Sequence, residues 1–338
     1  MKRILYLFFL LFPGLQLAVA QQKPQYTQYL FNDLLINPAV TGIENYTNVM
    51  AGYRSQWTGL QGAPVTSYLT VSAPLGSDFI QGDATAFPAE GGVNPSSRLY
   101  TQNYMAAEPH HGIGFMVVTD QTGPITTTNL DATYAYHLGL TEKMNLAVGV
   151  EGGFAHVNLN TSEITLENPF DPAILNGNNS QWEPDLGAGI WLYSSNYFFG
   201  ASAQQLLPQS LYFNTNNVYN KNKSVPQYLF TAGTKLFLTD DITILPSFLI
   251  KVLNPEPISY DINAKISFKD ILWLGASYRH NDSFGILAGL NVSSFINIGY
   301  SYDITTSALN TVSNGTHEIV ISILLNNRYN VSSPQHGF

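Results

Sequence analysis

Histidine is the side chain best suited to metal binding and to proton transfer near neutral pH, and this chain holds seven. His110 and His111 form the one adjacent pair, directly after Glu108-Pro109. Neighbours on an extended chain point to opposite sides, so two ligands from such a pair require a turn, and no Cys or further His lies close by. No metal site is expected there. Asp171, Glu183 and Asp185 sit among Pro and Asn in what reads as a loop, and they read as solvated acids in preference to a calcium set. A hydrolase would need a Ser, a His and an orienting polar group; His137 and His156 are available, but no spacing selects them. Phosphate-binding Gly-rich loops, zinc-protease motifs and nucleophile-elbow serines do not occur. The sequence therefore predicts a non-enzyme with no metal and no cofactor.

The remaining chemistry lies in charge, and charge is scarce. Charged residues make up 11% of the chain against roughly 25% in ordinary soluble domains, while aromatics reach 13%. Five basic residues, Arg54, Lys235, Lys251, Lys265 and Arg279, and five acidic ones, Asp131, Glu151, Asp261, Asp303 and Glu318, fall on one face of the segments that hold them. A set so balanced predicts pairing across an interior, not the single-sign ring of an ion-selective pore.

Those segments alternate apolar and polar residues for about ten residues each, as transmembrane barrel strands do. The clearest runs from Ile258 to Phe268, with Ile258, Tyr260, Ile262, Ala264, Ile266 and Phe268 on one face and Ser259, Asp261, Asn263, Lys265 and Ser267 on the other. Strands are predicted at 46–57, 64–73, 112–119, 126–138, 143–155, 185–193, 196–205, 227–238, 241–251, 257–268, 271–280, 283–292, 294–304 and 316–325. Past the leader no apolar run approaches the 18 or so residues of a membrane helix. Since hydrocarbon tolerates only helices and closed barrels, the fold class is all-β, a transmembrane antiparallel up-and-down barrel of about 14 strands.

The first 20 residues carry Lys2 and Arg3, an apolar run from Ile4 to Leu11 and then Ala18-Val19-Ala20, which predicts a signal peptide cut after Ala20. The absence of cysteine excludes disulfides and a lipoprotein anchor. Without Lys2 and Arg3 the formal charge is −11, a poor match for nucleic acid. Residues 21–45 read as an amino-terminal segment docked at the periplasmic mouth or in the lumen. Residues 46–325 read as the barrel, with a Gly/Pro-rich insertion at 74–111, and 326–338 as a tail.

Counting strands from a periplasmic amino terminus leaves tight turns on the periplasmic side, with the 74–111 insertion as the one exception, and long connections (156–184, 206–226, 305–315) outside. Both termini are then periplasmic. The outward face includes Met144 to Val150 in alternation, Leu272, Leu274, Ile298, Tyr300, Ile319 and Ile321. Tyr53, Trp57, Tyr134, Tyr136, Trp191, Tyr193, Trp273 and Tyr278 are assigned to the headgroup level.

One order of motifs carries a family likeness. The chain reads Gln25-Tyr26-Thr27-Gln28-Tyr29-Leu30-Phe31-Asn32, then Asn37-Pro38-Ala39-Val40-Thr41-Gly42, then Arg54-Ser55-Gln56-Trp57-Thr58-Gly59 and Gly62-Ala63-Pro64, and closes on Thr316-His317-Glu318-Ile319. This order resembles the PorP/SprF family of outer-membrane proteins of type IX secretion in Bacteroidetes. Asn37-Pro38 starts a turn and Gly42 offers a positive φ; Arg54 and Gln56, on the inward face, could bond the amino-terminal segment in place. The resemblance implies an outer-membrane adaptor or anchor for secreted and gliding-associated cargo bearing type IX carboxy-terminal signal domains. It also implies contact with the periplasmic ring and peptidoglycan-linked components. The alternative is a porin for small solutes.

Overall fold

The computed structural model describes residues 26–76, 104–164, 179–208, 224–239, 241–269, 271–293 and 295–327. The signal peptide, Asp171, most of the 74–111 insertion and most of the tail lie outside them. Fifteen strand segments form one closed antiparallel sheet: β1 (Thr47–Ser55), β2 (Val65–Leu75), β3 (His110–Thr122), β4 (Ile125–Thr141), β5 (Met144–Leu159), β6 (Ser180–Tyr193), β7 (Tyr197–Gln204), β8 (Gln227–Thr234), β9 (Leu236–Phe237), β10 (Ile242–Leu253), β11 (Ser259–Phe268), β12 (Leu272–Arg279), β13 (Ser283–Asn291), β14 (Ile296–Thr305) and β15 (Thr316–Leu325). Because β8 and β9 both pair with β10 along one line, the barrel has fourteen staves. Each stave pairs with the next in sequence, and β1 closes the cylinder on β15 from Thr47↔Leu325 to Ser55↔His317.

The alternation of β11 explains the architecture. Asp261 and Lys265 are each 5% exposed, whereas Ile262 is 55% and Ile266 48% exposed. Apolar residues on the outside and polar ones inside are stable only if the outside is wetted by lipid. The same inversion holds at Val148, Leu274, Ile298, Ile319 and Ile321. No helix among the described residues is long and apolar enough to cross a membrane. Strands β4 and β5, 17 and 16 residues long, exceed the ~9–11 residues a tilted strand needs to span hydrocarbon, so part of each stands clear of it.

One end of the barrel carries the short connections 142–143, 194–196, 238–241, 269–271 and 292–295, together with 76–109. The other carries 56–64, 160–179, 205–226 and 306–315, with some tight turns between them. These are called the turn end and the loop end.

Several boundaries differ from the sequence reading. Strand β1 stops at Ser55, so Gln56 and Trp57 lie in the following turn. Strands β2 and β3 run into the expected insertion, placing Pro74, His110 and His111 in the wall. Asp185 lies on β6, 1% exposed inside the barrel, not in a loop. The aromatics divide: Tyr53, Tyr134, Tyr136 and Tyr278 are outward and exposed, but Trp191, Tyr193 and Trp273 are 2%, 1% and 4% exposed and face inward. Strand parity already turns them inward, Trp273 lying between the outward Leu272 and Leu274; what receives them is an apolar core inside the lumen.

That core is residues 26–46, which run down the interior. Tyr26 lies at the loop end, where its carbonyl accepts from Arg279 Nη2 at 3.1 Å. Gly42 lies at the turn end against Ala73, Pro74 and Gly112. The described chain thus starts at the loop end, and its last strand finishes, at Leu325, on the turn end. An amino terminus on the turn-end side therefore applies to Thr47, where the wall begins, and not to Tyr26.

Candidate functional site

Three short 3-10 turns, Gln28–Leu30, Asp33–Leu35 and Pro38–Val40, shape the lumen segment. Asn37 Oδ1 accepts from Ala39 N at 2.9 Å and Pro38 supplies the first position of the turn. Among the described residues the backbone bonds of 28–43 to other backbone groups are internal, such as Asn37 N to Asp33 O at 3.0 Å. The segment is therefore not a strand added to the wall.

Side chains fasten it instead. Three apolar clusters join segment to wall: Leu34, Ala39 and Val40 with Trp191, Tyr193, Phe198 and Leu245; Tyr29, Leu30 and Ile36 with Leu229, Leu249, Trp273 and Leu287; and Leu35 with Met50, Tyr68, Met116, Val118 and Val320. Successive leucines Leu34 and Leu35, each 4% exposed, enter different clusters, and burying each is worth about 1.5–3 kcal/mol. Wall glycines make room: a Cβ at Gly149 would meet the Ala39 backbone at 2.5 Å, and one at Gly112 would collide with the Thr41 carbonyl. Gly189 is opposed in the same way by the Asn37 side chain.

At the loop end the segment meets a charged clamp. Arg54 on β1 and Glu318 on β15 are register partners across the closing seam. Asp303 stands two residues along on β14, on the same inward face. Arg54 Nη1 donates to Glu318 Oε2 at 2.9 Å and Nη2 to Asp303 Oδ2 at 3.0 Å, all three side chains being almost wholly buried. Thr27 fits between them: its Oγ1 accepts from Arg54 at 3.0 Å and donates to Asp303 at 2.6 Å, while its N–H donates to Glu318 at 2.8 Å. Tyr68 Oη donates to the other Glu318 oxygen at 3.1 Å. Buried charges are tolerable only with such pairing and bonding. A second pair, Arg279 with Asp261 and Asp282 at 3.3 Å, holds the Tyr26 carbonyl.

Further along, Asn263 Nδ2 donates to Tyr29 Oη at 2.6 Å and Asn32 Nδ2 to Thr70 Oγ1 at 2.9 Å. Ser202 and Gln204 donate to the carbonyls of Ile36 and Leu35, and Asn37 Nδ2 to that of Ile190 at 3.0 Å. At the turn end Gly42, φ +72°, sits where a side chain would strike Gly112, and its N–H donates to Ser72 Oγ at 2.8 Å. His110 and His137 stack at 4.5 Å there, with their Nε2 atoms 3.2 Å and 2.8 Å from the carbonyls of Gly42 and Thr41. Their inward parity on β3 and β4 was the available signal; assigning His110 to an insertion hid it.

The motif residues thus separate into three places. Gln28, Tyr29, Asn32, Asn37, Pro38 and Gly42 are in the lumen segment, with Arg54 and Glu318 gripping its start. Gln56, Trp57, Gly59, Gly62, Ala63 and Pro64 form the β1–β2 turn: Gln56 N donates to Pro64 O at 2.9 Å, and Thr58 N to Gly315 O at 2.8 Å. Trp57 N donates to Thr316 Oγ1 at 3.1 Å, and Gly123 N to Gly62 O at 2.9 Å, so this turn ties the loop-end rim together. His317, next to Glu318, points the other way, its Nδ1 2.7 Å from Tyr300 Oη on the outer surface. No cluster of three metal-ligating residues occurs among the described residues.

Solved structures with a similar backbone are outer-membrane barrels. The toluene transporter TbuX of Ralstonia pickettii aligns over 87% of this chain and 93% of its own, with 10% identity and a TM-score of 0.50. The Acinetobacter baumannii outer membrane protein Omp33 aligns over 84% and 100%, with 9% identity and a TM-score of 0.45. The Pseudomonas putida toluene transporter TodX aligns over 90% and 95%, with 9% identity and a TM-score of 0.46. At such identities the likeness is one of fold. None of the curated proteins matches the sequence. Residues 18–323 match the family described as Type IX secretion system membrane protein PorP/SprF, and the chain, an outer-membrane β-barrel with an occupied lumen, belongs to that family.

Proposed function

We propose that this chain is a closed, non-enzymatic adaptor or anchor of type IX secretion and not the conduit through which cargo passes. The observation that carries the reading is the lumen: residues 26–46 fill it, fixed by three apolar clusters and by the Arg54 clamp. A barrel of fourteen staves is in any case narrow for a folded domain, and a filled one offers no continuous passage for a chain. The wall holds the protein in the membrane. The turn end, with the 76–109 connection, faces the periplasmic ring and peptidoglycan-linked components. The loop end, with 160–179 and 205–226, faces cargo that carries type IX carboxy-terminal signal domains, gliding-associated adhesins among them.

Two measurements test this. Purified protein in planar bilayers is expected to show little conductance, and deletion of the gene is expected to remove cargo from the cell surface. Stepwise conductance from the intact chain, with surface cargo unchanged in the deletion strain, would overturn the proposal in favour of a porin for small solutes.

A further inference from the structure

Above the lumen segment, on the loop-end side, lies a cavity of about 50 Å³, several times the ~10–15 Å³ that one water requires. Its floor is apolar: Tyr29, Leu35 and Ile36 from the segment, with Leu229 and Leu249 from the wall. Its sides are polar and include Lys251, Arg279, Asp261 and Asn129. The guanidinium of Arg279 is already engaged by Asp261, Asp282 and the Tyr26 carbonyl. Lys251 differs: among the described residues its ammonium makes no direct hydrogen bond and no close ion pair, and the carboxylates of Asp261, Glu256 and Asp282 act on it only from farther off. Asn129 Oδ1 is likewise buried without a donor. An ammonium and an amide oxygen set over an apolar floor need a ligand that brings its own charge and hydrogen bonds.

We propose that this cavity is a binding site for a carboxylate carried on a short apolar group, with Lys251 as its counter-ion. A single negative charge fits, because Asp261 beside the site disfavours a dianion such as phosphate. The floor supplies the contact for the apolar part, and Asn129 Oδ1 accepts an N–H where the ligand has one. Both a free branched acid and the carboxy-terminal residue of a polypeptide carry this chemistry.

The test is calorimetric titration of the full barrel in detergent with 4-methylvalerate and N-acetyl-leucine, each against its neutral carboxamide. Both acids should bind saturably and at least tenfold more tightly than their amides. Tighter binding of 4-methylvalerate supports the site with a free acid as occupant; tighter binding of N-acetyl-leucine supports it with a polypeptide end. Lys251→Met should abolish the preference for acid over amide, and Lys251→Arg should keep it. Should Lys251→Met fail to fold, Leu249→Trp, which fills the floor, should lose both acids. No saturable binding, equal binding of acid and amide, or a preference that survives Lys251→Met or Leu249→Trp would overturn the proposal.

Discussion

Arg54 and Glu318 face each other across the seam where the last strand closes on the first, 264 residues apart in sequence and 2.9 Å apart in space. The pair does two things at once. It sits inside the junction that makes the sheet a cylinder, and, with Asp303, it grips Thr27 at the start of the lumen segment.

Removing the cation strands two buried carboxylates. Arg54→Met should destabilise the barrel by about 3–5 kcal/mol, the usual cost of breaking a buried pair from one side. Neutralising the acids as well, in Arg54→Met with Asp303→Asn and Glu318→Gln, should recover much of the loss. The temperature at which the folded barrel loses its compact mobility on a denaturing gel reads both, and a triple variant no more stable than the single one would show the clamp to be energetically unimportant.

The glycines that face the lumen segment should be intolerant of size. Gly149→Val puts atoms where the Ala39 backbone lies, so the segment must move while the β5 ladder survives. The chain contains no cysteine, which makes Ala39→Cys, 0% exposed in the parent, a clean reporter. A water-soluble maleimide should label it slowly in the parent background and at least ten times faster with Gly149→Val. Equal rates would mean that the segment does not occupy the lumen as described.

Outward and inward positions on one strand should respond oppositely to charge. Ile262→Arg places a cation in hydrocarbon at a cost of about 2–4 kcal/mol near the bilayer midplane and should reduce membrane-assembled protein. Its neighbour Asn263, 2% exposed and bonded to Tyr29, should in Asn263→Ala cost about 1–3 kcal/mol through the unpaired Tyr29 hydroxyl without blocking assembly. Quantifying folded and unfolded bands in isolated outer membranes separates the two.

Because Tyr26 lies at the loop end and Leu325 at the turn end, an epitope placed just after Ala20 and one appended after Phe338 should behave differently on intact cells. With the loop end outward, antibody should reach the first and not the second. Detection of the second alone would reverse the assigned orientation.

Much of this was legible in the sequence because a barrel strand repeats every two residues and needs no distant information. The alternation from Ile258 to Phe268 fixed both faces of β11, and 316–325 coincides with β15 at both ends. Parity also put Arg54, Asp303 and Glu318 on the inner side. It could not show that they meet, since their contact depends on ring closure between the first and last strands. The misassigned aromatics have the same cause. Trp191, Tyr193 and Trp273 have inward parity, Trp273 lying between the outward Leu272 and Leu274, but as aromatics they read as headgroup anchors because only the lumen segment, through Leu34, Val40, Leu30 and Ile36, supplies the apolar partners that receive them. Local alternation settled that there is a wall and which way its faces point. What fills it, how the seam is locked and at which end Tyr26 lies were decided only when the sheet closed around residues 26–46, because those contacts join residues that no local pattern brings together.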